Sequence, residues 1–394
     1  MNNFTDKLSY LAFVYFFLHE ALFANLREAF NTPLYYFSEI ILFIVIFVND
    51  KTIRKVVFSK PSILWFILVI YHLVNCWYHK VPLEQGLTSM TGSLITKYLL
   101  LCITTRIIIV NDEKAIKYII AGFFLYMILS LNVVQINEDF GNRLRGEFMH
   151  PNKLSQCIGF GLFFLAYAKY RFNLSYVKVG LFSLFPLAVI LGCGSRNGFI
   201  LFLFFVSSVY IANYLKDGVQ IEKIIRILIG LGVLCVVFYL TFQNTNVGVR
   251  LLSTMDQEKS MVFTTGTFLD MFGDRGIYYY LSYLNIKENP LTGIGLYNFM
   301  YYNNFPVTIH SEYLIHFCEG GIIGGVIYVL FLKQLYKGVV NNFKIYKNPE
   351  SIIIALSFVA YLFVCFSARG LYYEHFYPIL GLCMAKSLNV KYAD

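Results

Sequence analysis

From Asn197 to Leu215 the chain carries no charged side chain. As an α-helix this run would be about 28 Å long, close to the thickness of a bilayer's hydrocarbon core, and it is too long for an ordinary strand. Comparable apolar runs lie near residues 8–26, 34–49, 62–78, 93–110, 115–134, 153–169, 175–193, 223–242, 309–332, 351–367 and 371–388, although His19 and Glu20 interrupt the first. They are continuous rather than alternating, which points to helices and away from a closed barrel. Charged residues make up only 14 % of the chain and hydrophobic ones 58 %, whereas a soluble domain carries about 25 % charged residues. The expected fold is an all-α integral membrane protein, residues 1–394 forming a single polytopic domain with about twelve transmembrane helices.

Basic residues set the expected orientation, because Lys and Arg accumulate in cytoplasmic loops. One side would hold Lys7, Lys51, Arg54, Lys55, Lys60, Arg106, Lys114, Lys117, Lys169, Arg171 and Lys178, and continue through Lys216 and Arg226 to Lys391. That is about twenty, against roughly eleven on the other side, with Lys97 inside a span. Both termini are therefore expected in the cytoplasm. The one long polar segment, a periplasmic loop at 243–308 between the ninth and tenth helices, would face outward.

Several function classes lose support at this point. Short cytoplasmic loops leave no room for a nucleotide-using domain. Gly293-Ile294-Gly295 has Asn298 where a dinucleotide fingerprint needs its third glycine, and no βαβ context surrounds it. The eight cysteines show no CxxC or Cys/His spacing and read as buried small hydrophobes. No HExxH, paired-histidine motif or outward DxD suggests a metal; Glu138-Asp139 and the carboxylates between Asp270 and Asp274 come nearest. The formal charge of +9 is scattered among loops rather than striped along one face, so nucleic acid is not the expected partner.

The outward basic residues carry more information. Arg143 and Arg145 precede GEFMHPNKLS (146–155), in which Pro151 suits a helix's first turn and Asn152 stands at its mouth. Arg196 sits in the tight turn GCGSRNG (192–198), Arg275 opens RGIYYYLSYLNI, and Arg369 occupies the short turn between the last two spans. An arginine near the membrane boundary has a partner or a task; Arg369 could simply pair with Glu374. Several together favour joint binding of an anion, since the guanidinium fork matches phosphate bidentately. His310 begins a span, with Ser311 and Glu312 beside it to satisfy or orient the ring, and a neutral imidazole there can accept a proton. His316 and His150 are weaker candidates. Gly320, Gly321, Gly324 and Gly325 form two overlapping GxxxG spacings that close helix packing explains.

The order of these motifs is informative: SRNG at a span's end, an arginine before NPLTGIG (289–295), then HSEYLIHFCEGGIIGG (310–325) opening the next span, with GEFMHPN upstream. This pattern resembles the O-antigen ligase and polymerase superfamily of bacterial polysaccharide assembly, over about residues 140–390. The resemblance implies a metal- and cofactor-independent glycosyltransferase of the bacterial inner membrane, acting at its periplasmic face on undecaprenyl-pyrophosphate-linked glycan. It implies that Arg196 and Arg275 hold the pyrophosphate and that His310 activates the acceptor hydroxyl. Arg145 and Arg369 join them as further anion-binding candidates, while Asn152, Ser311 and Glu312 are candidates for orienting these groups. Ser311 stands where many relatives carry Asn.

Within that superfamily, a polymerase joins repeat-unit chains and a ligase moves a chain to lipid A core. The abundance of Phe (39) and Tyr (31), with much Ile, Asn and Lys, resembles the products of variable polysaccharide clusters and favours the polymerase, with a chain-length regulator as a further candidate partner. A flippase for the same lipid-linked sugar is the alternative of another class. It would be expected to show internal repeats and mid-membrane charges, and no convincing repeat is present.

Overall fold

The computed structural model describes residues 3–23, 32–82, 86–131, 135–137, 143–145, 150–215, 220–242, 274–304 and 308–389. The loop stretch 243–273, the GEFM residues 146–149, and Glu138-Asp139 lie outside the described residues, as do the side chains of Arg143, Arg145 and Arg275.

A helix covers at least part of each apolar run, and two further helices, Lys51–Val57 and Asp274–Glu288, lie between runs. In chain order these are α1 (Asn3–Phe23), α2 (Thr32–Asn49), α3 (Lys51–Val57), α4 (Lys60–Tyr78), α5 (Gly86–Val110), α6 (Asp112–Leu131), α7 (Pro151–Arg171), α8 (Tyr176–Cys193), α9 (Arg196–Leu215), α10 (Ile221–Phe242), α11 (Asp274–Glu288), α12 (Gly321–Tyr346), α13 (Pro349–Val364) and α14 (Phe376–Asn389). Among the described residues, six are long and apolar enough to cross a membrane, namely α4, α5, α6, α8, α9 and α12, and three shorter apolar helices span Tyr36–Asn49, Pro349–Val364 and Phe376–Leu388. The protein is a multi-pass membrane protein. One departure from an all-helical chain is a small antiparallel pair, β1 (Gln135–Asn137) with β2 (Arg143–Arg145), registered Gln135 to Arg145.

Local chemistry accounts for the helix ends. Pro151 occupies the first turn of α7, where its missing N–H costs nothing, and the His150 ring nitrogen caps Asn152 N. Gly194 closes α8 in the left-handed region at φ 57°, and Ser195 Oγ caps α9 through Gly198 N. Asn348 and Pro349 open α13 in the same way.

Apolar helices gain little from associating in lipid unless they pack closely or share polar bonds, because lipid tails are as apolar as the side chains. α5 shows the result. It is largely buried, with no polar face turned outward, and it packs against α1, α2, α3, α6 and α14. By contrast α8 exposes Leu181, Phe182, Leu184 and Phe185 outward. α7 approaches α9 and α6 through Gly159 and Gly161, where an added Cβ would meet Leu201 at 2.7 Å and Phe123 at 2.9 Å. Trp65 of α4 is fully buried against Phe331 at 4.7 Å and Tyr377 at 6.0 Å. Cys76, Cys102, Cys157, Cys193, Cys318, Cys365 and Cys383 are free and buried in this interior.

One end of the bundle is tied by ion pairs. Arg106 Nε meets Asp50 at 2.6 Å and its Nη2 meets Asp6 at 2.5 Å. Asp112 accepts Tyr167 Oη at 2.7 Å and Lys386 Nζ at 2.9 Å. The other end gathers the starts of α7, α9 and α12 and the ends of α4, α8 and α13, and it carries the candidate site.

Candidate functional site

The site begins with a main-chain clasp. After α11 the segment Asn289–Gly295 runs back against the start of α12: Ile294 N donates to Cys318 O (3.1 Å), Gly295 N to Glu319 O (2.9 Å), and Ile322 N to Pro290 O (2.8 Å). Asn75 of α4 bridges both strands, its amide donating to Thr292 O and Glu319 O at 2.8 Å each. Gly293 and Gly321 have φ of 70° and 64°, and a Cβ on Gly293 would lie 2.5 Å from Cys318 O, while one on Gly321 would collide with the Leu291 carbonyl. These glycines therefore serve backbone contact. The GxxxG expectation holds for one register: Gly320 and Gly324 face His72 and Tyr71 of α4. The second fails, because Gly321 meets the clasp and Gly325 meets Phe317.

The clasp leads to a turn, residues 365–371, on which the candidate elements converge. Asn197, next to Arg196, donates its amide to Ser367 Oγ at 2.8 Å. Tyr279, one helical turn after Arg275, donates to Phe366 O at 3.2 Å. Next to His310, Ser311 Oγ donates to Cys365 O at 3.4 Å and Glu312 N to the same oxygen at 2.8 Å. Arg369 lies within the turn. Three segments far apart in the chain thus anchor to the short turn that carries Arg369.

His310 is half-buried, and its Nδ1 lies 2.7 Å from the Thr308 carbonyl. A carbonyl only accepts, so Nδ1 carries a proton, and in the neutral ring Nε2 keeps its lone pair, the tautomer a base needs. Tyr278 of α11 stacks on the ring at 6.1 Å and 22°. The expectation that Ser311 and Glu312 orient this histidine is corrected: Ser311 bonds Cys365 O, and Glu312 bonds His316 and Leu371 N. Thr308 and Tyr278 do that work instead.

Arg196 is half-buried at the first position of α9. A cation there opposes the helix dipole, which favours anions at this end. An anion held jointly by the guanidinium and the helix start relieves that conflict. Arg369 is also half-buried. The suggested pairing of Arg369 with Glu374 is corrected, since Glu374 lies between Lys153 (3.2 Å) and Lys97 (3.6 Å). Burial alone would push the Glu374 carboxyl up, but the two ammonium groups outweigh it and hold it down at about 2. Asn152 opens α7 one residue before Lys153, and β2, with Arg145, lies beside α7 and α8.

Sequence reasoning missed two buried clusters. In one, Lys97, Lys153 and Glu374 adjoin His375, whose ring is buried between Phe160 and Tyr373. In the other, His316, ranked below His310, lies in a π-helical turn (Ile315–Glu319), bonded to Glu312 at 3.0 Å and to His72 of α4 at 2.9 Å. Signals existed for both: a lysine inside an apolar run, and a Glu-x-x-x-His spacing that puts both side chains on one helical face.

Residues 181–329 match a family model, Wzy_C, described as O-antigen ligase. The matched domain supports the resemblance to the O-antigen ligase/polymerase superfamily over those residues. That domain reaches from α8 through Arg196, α11 and the clasp into α12, so it includes His310 and the turn of Arg196. No curated protein matches the chain. The match over residues 181–329 and the bundle of apolar helices together support a multi-pass membrane protein of the glycosyl-transfer type.

Proposed function

We propose that the protein is a polysaccharide polymerase that transfers an undecaprenyl-pyrophosphate-linked glycan to the hydroxyl of a second lipid-linked repeat unit. The convergence of the Arg196, Arg275, His310 and Arg369 segments on the 365–371 turn carries this reading. The acceptor hydroxyl attacks the anomeric carbon of the donor and its proton passes to His310 Nε2. The bond between that carbon and the pyrophosphate oxygen breaks, and undecaprenyl pyrophosphate leaves. Arg196, Arg275, Arg369 and Arg145 meet the growing negative charge, which is the main demand of the step because the bond energy is already stored in the donor. Neither a metal nor a nucleotide is needed. In this reading about twelve helices cross the inner membrane, both termini lie in the cytoplasm, and the site with the 243–308 loop faces the periplasm.

The family model's own description favours a second reading, a ligase delivering the chain to lipid A core. One assay separates the two. Membranes containing the protein are given the lipid-linked donor alone: a ladder of elongated products supports the polymerase, and product formation only on adding lipid A core supports the ligase. If neither condition yields transfer while lipid-linked sugar crosses the bilayer, a flippase replaces both.

A further inference from the structure

Glu312, His316 and His72 form a hydrogen-bonded chain in which all three side chains are fully buried. Glu312 has two roles in it. Its Oε1 faces His316 Nε2 at 3.0 Å, and its Oε2 accepts Leu371 N at 2.9 Å. Gly370 lies over the same carboxyl, where an added Cβ would sit 3.4 Å from Cδ. The carboxylate therefore grips the turn two residues beyond Arg369.

With Glu312 ionised and both rings neutral, these bonds admit one arrangement of protons. As a carboxylate Glu312 can only accept, so His316 Nε2 donates to it, and His316 Nδ1 is left as an acceptor. His72 Nε2 then donates to His316 Nδ1 at 2.9 Å. His72 Nδ1 is the acceptor left over, and it has no partner. The His316 ring stacks on Tyr328 at 4.0 Å, which holds its plane. The π-helical turn that presents it ends at Gly320, packed against His72. Such turns inside helices recur at functional sites.

A buried carboxylate costs stability unless fully bonded, and apolar residues of equal volume would serve a scaffold as well or better. We propose that Glu312 and His316 are positioning residues that hold Arg369 in place for the donor pyrophosphate, with His72 fixing the tautomer from α4. This inference rests on the reading of Arg369 as a pyrophosphate ligand. Glu312 binds no substrate itself.

The test uses the full-length protein in membranes and measures donor KM and kcat separately. Glu312→Gln puts a neutral amide where the chain needs two acceptors, so it loses the grip on Leu371 N or inverts both histidine tautomers. Donor KM is expected to rise roughly tenfold to hundredfold, the worth of one charge-assisted hydrogen bond, with a smaller change in kcat. His316→Leu should do the same, and His316→Gln, which keeps a donor toward Glu312 and an acceptor toward His72, should restore most of the affinity. In an Arg369→Ala background Glu312→Gln should add nothing further, because both act through one group.

Independent, additive effects of the two substitutions would overturn the proposal, as would an unchanged donor KM in both Glu312→Gln and His316→Leu. Loss of folded protein without a KM change in the surviving fraction would mark the chain as structural and overturn it too. If Arg369→Ala itself leaves donor KM unchanged, the pyrophosphate reading fails, and the positioning proposal falls with it for that separate reason.

Discussion

The two ends of the bundle solve opposite problems with the same residue types. At the end holding Arg106, each buried charge meets an opposite one: Arg106 is 1 % exposed and lies between Asp6 and Asp50, while Asp112 gathers Lys386 and Tyr167. At the other end Lys97 and Lys153 share one carboxylate, and Arg196 opposes a helix dipole. Buried polar atoms without partners occur at both ends, Arg106 Nη1 and Asp112 Oδ1 at the first, and His72 Nδ1, both His375 ring nitrogens and Gln156 Oε1 at the second. Paired charges hold a structure together; charges gathered with one sign in excess are poised for something that arrives later. On the proposed function, stability and chemistry have separate ends of the molecule, so substitutions at each should fail in different ways.

The sharpest way to break this comparison is His310→Ala. Loss of the base should lower chain transfer by roughly 10²–10⁴-fold, with abundance in the membrane unchanged, as read from ladder formation per unit of protein. Retained transfer would remove His310 from the chemistry. At the opposite end, Arg106→Met leaves Asp6 and Asp50 without their counter-charge and should cost about 3–5 kcal/mol of stability. Thermal unfolding in detergent should show it, while donor KM in the surviving protein stays at the wild-type value. A changed KM would mean that the two ends are coupled.

Gly293→Ala tests the clasp between them. It adds a Cβ at φ 70° and 2.5 Å from Cys318 O, a strain of about 1–3 kcal/mol. Both folded yield and transfer should fall, because this backbone carries the helix start that presents His310. The smallest expected effect is that of Tyr278→Leu. It removes the ring stacked on His310 and should lower kcat by about tenfold at most, the worth of one aromatic contact near 0.5–1.5 kcal/mol.

Much of the scaffold was legible in the residues, for a physical reason. Apolar runs of bilayer length have one way to satisfy their backbone in lipid, so a helix forms at each. Pro151, Gly194 and Asn348 end or begin helices through local rules that need no knowledge of the fold. Legibility declined wherever a partner lies far away along the chain. His316 reads as a lone histidine until α4 places His72 against it, 244 residues away in the sequence. Glu374 appeared to belong to nearby Arg369, and two helices from the first half of the chain supply its lysines instead. The glycines of GIG and EGG could be assigned to helix packing or to a phosphate loop, but only the fold brings them edge to edge. In the candidate site, residue types could be read from the sequence, whereas the shared turn at 365–371 that assembles them could not.

The clasp has a consequence for how such an enzyme can change. Main-chain atoms make its bonds, and among its residues Gly293, Gly295, Gly321 and the amide of Asn75 carry the constraint. The exposed side chain of Leu291 can therefore vary without unfastening the clasp, whereas Ile294, buried in the core, cannot. A fastening made of main-chain atoms leaves most of its side chains free to vary, as a chuck holds many bits, so chimaeras joined just before Asp274 would keep the clasp whole.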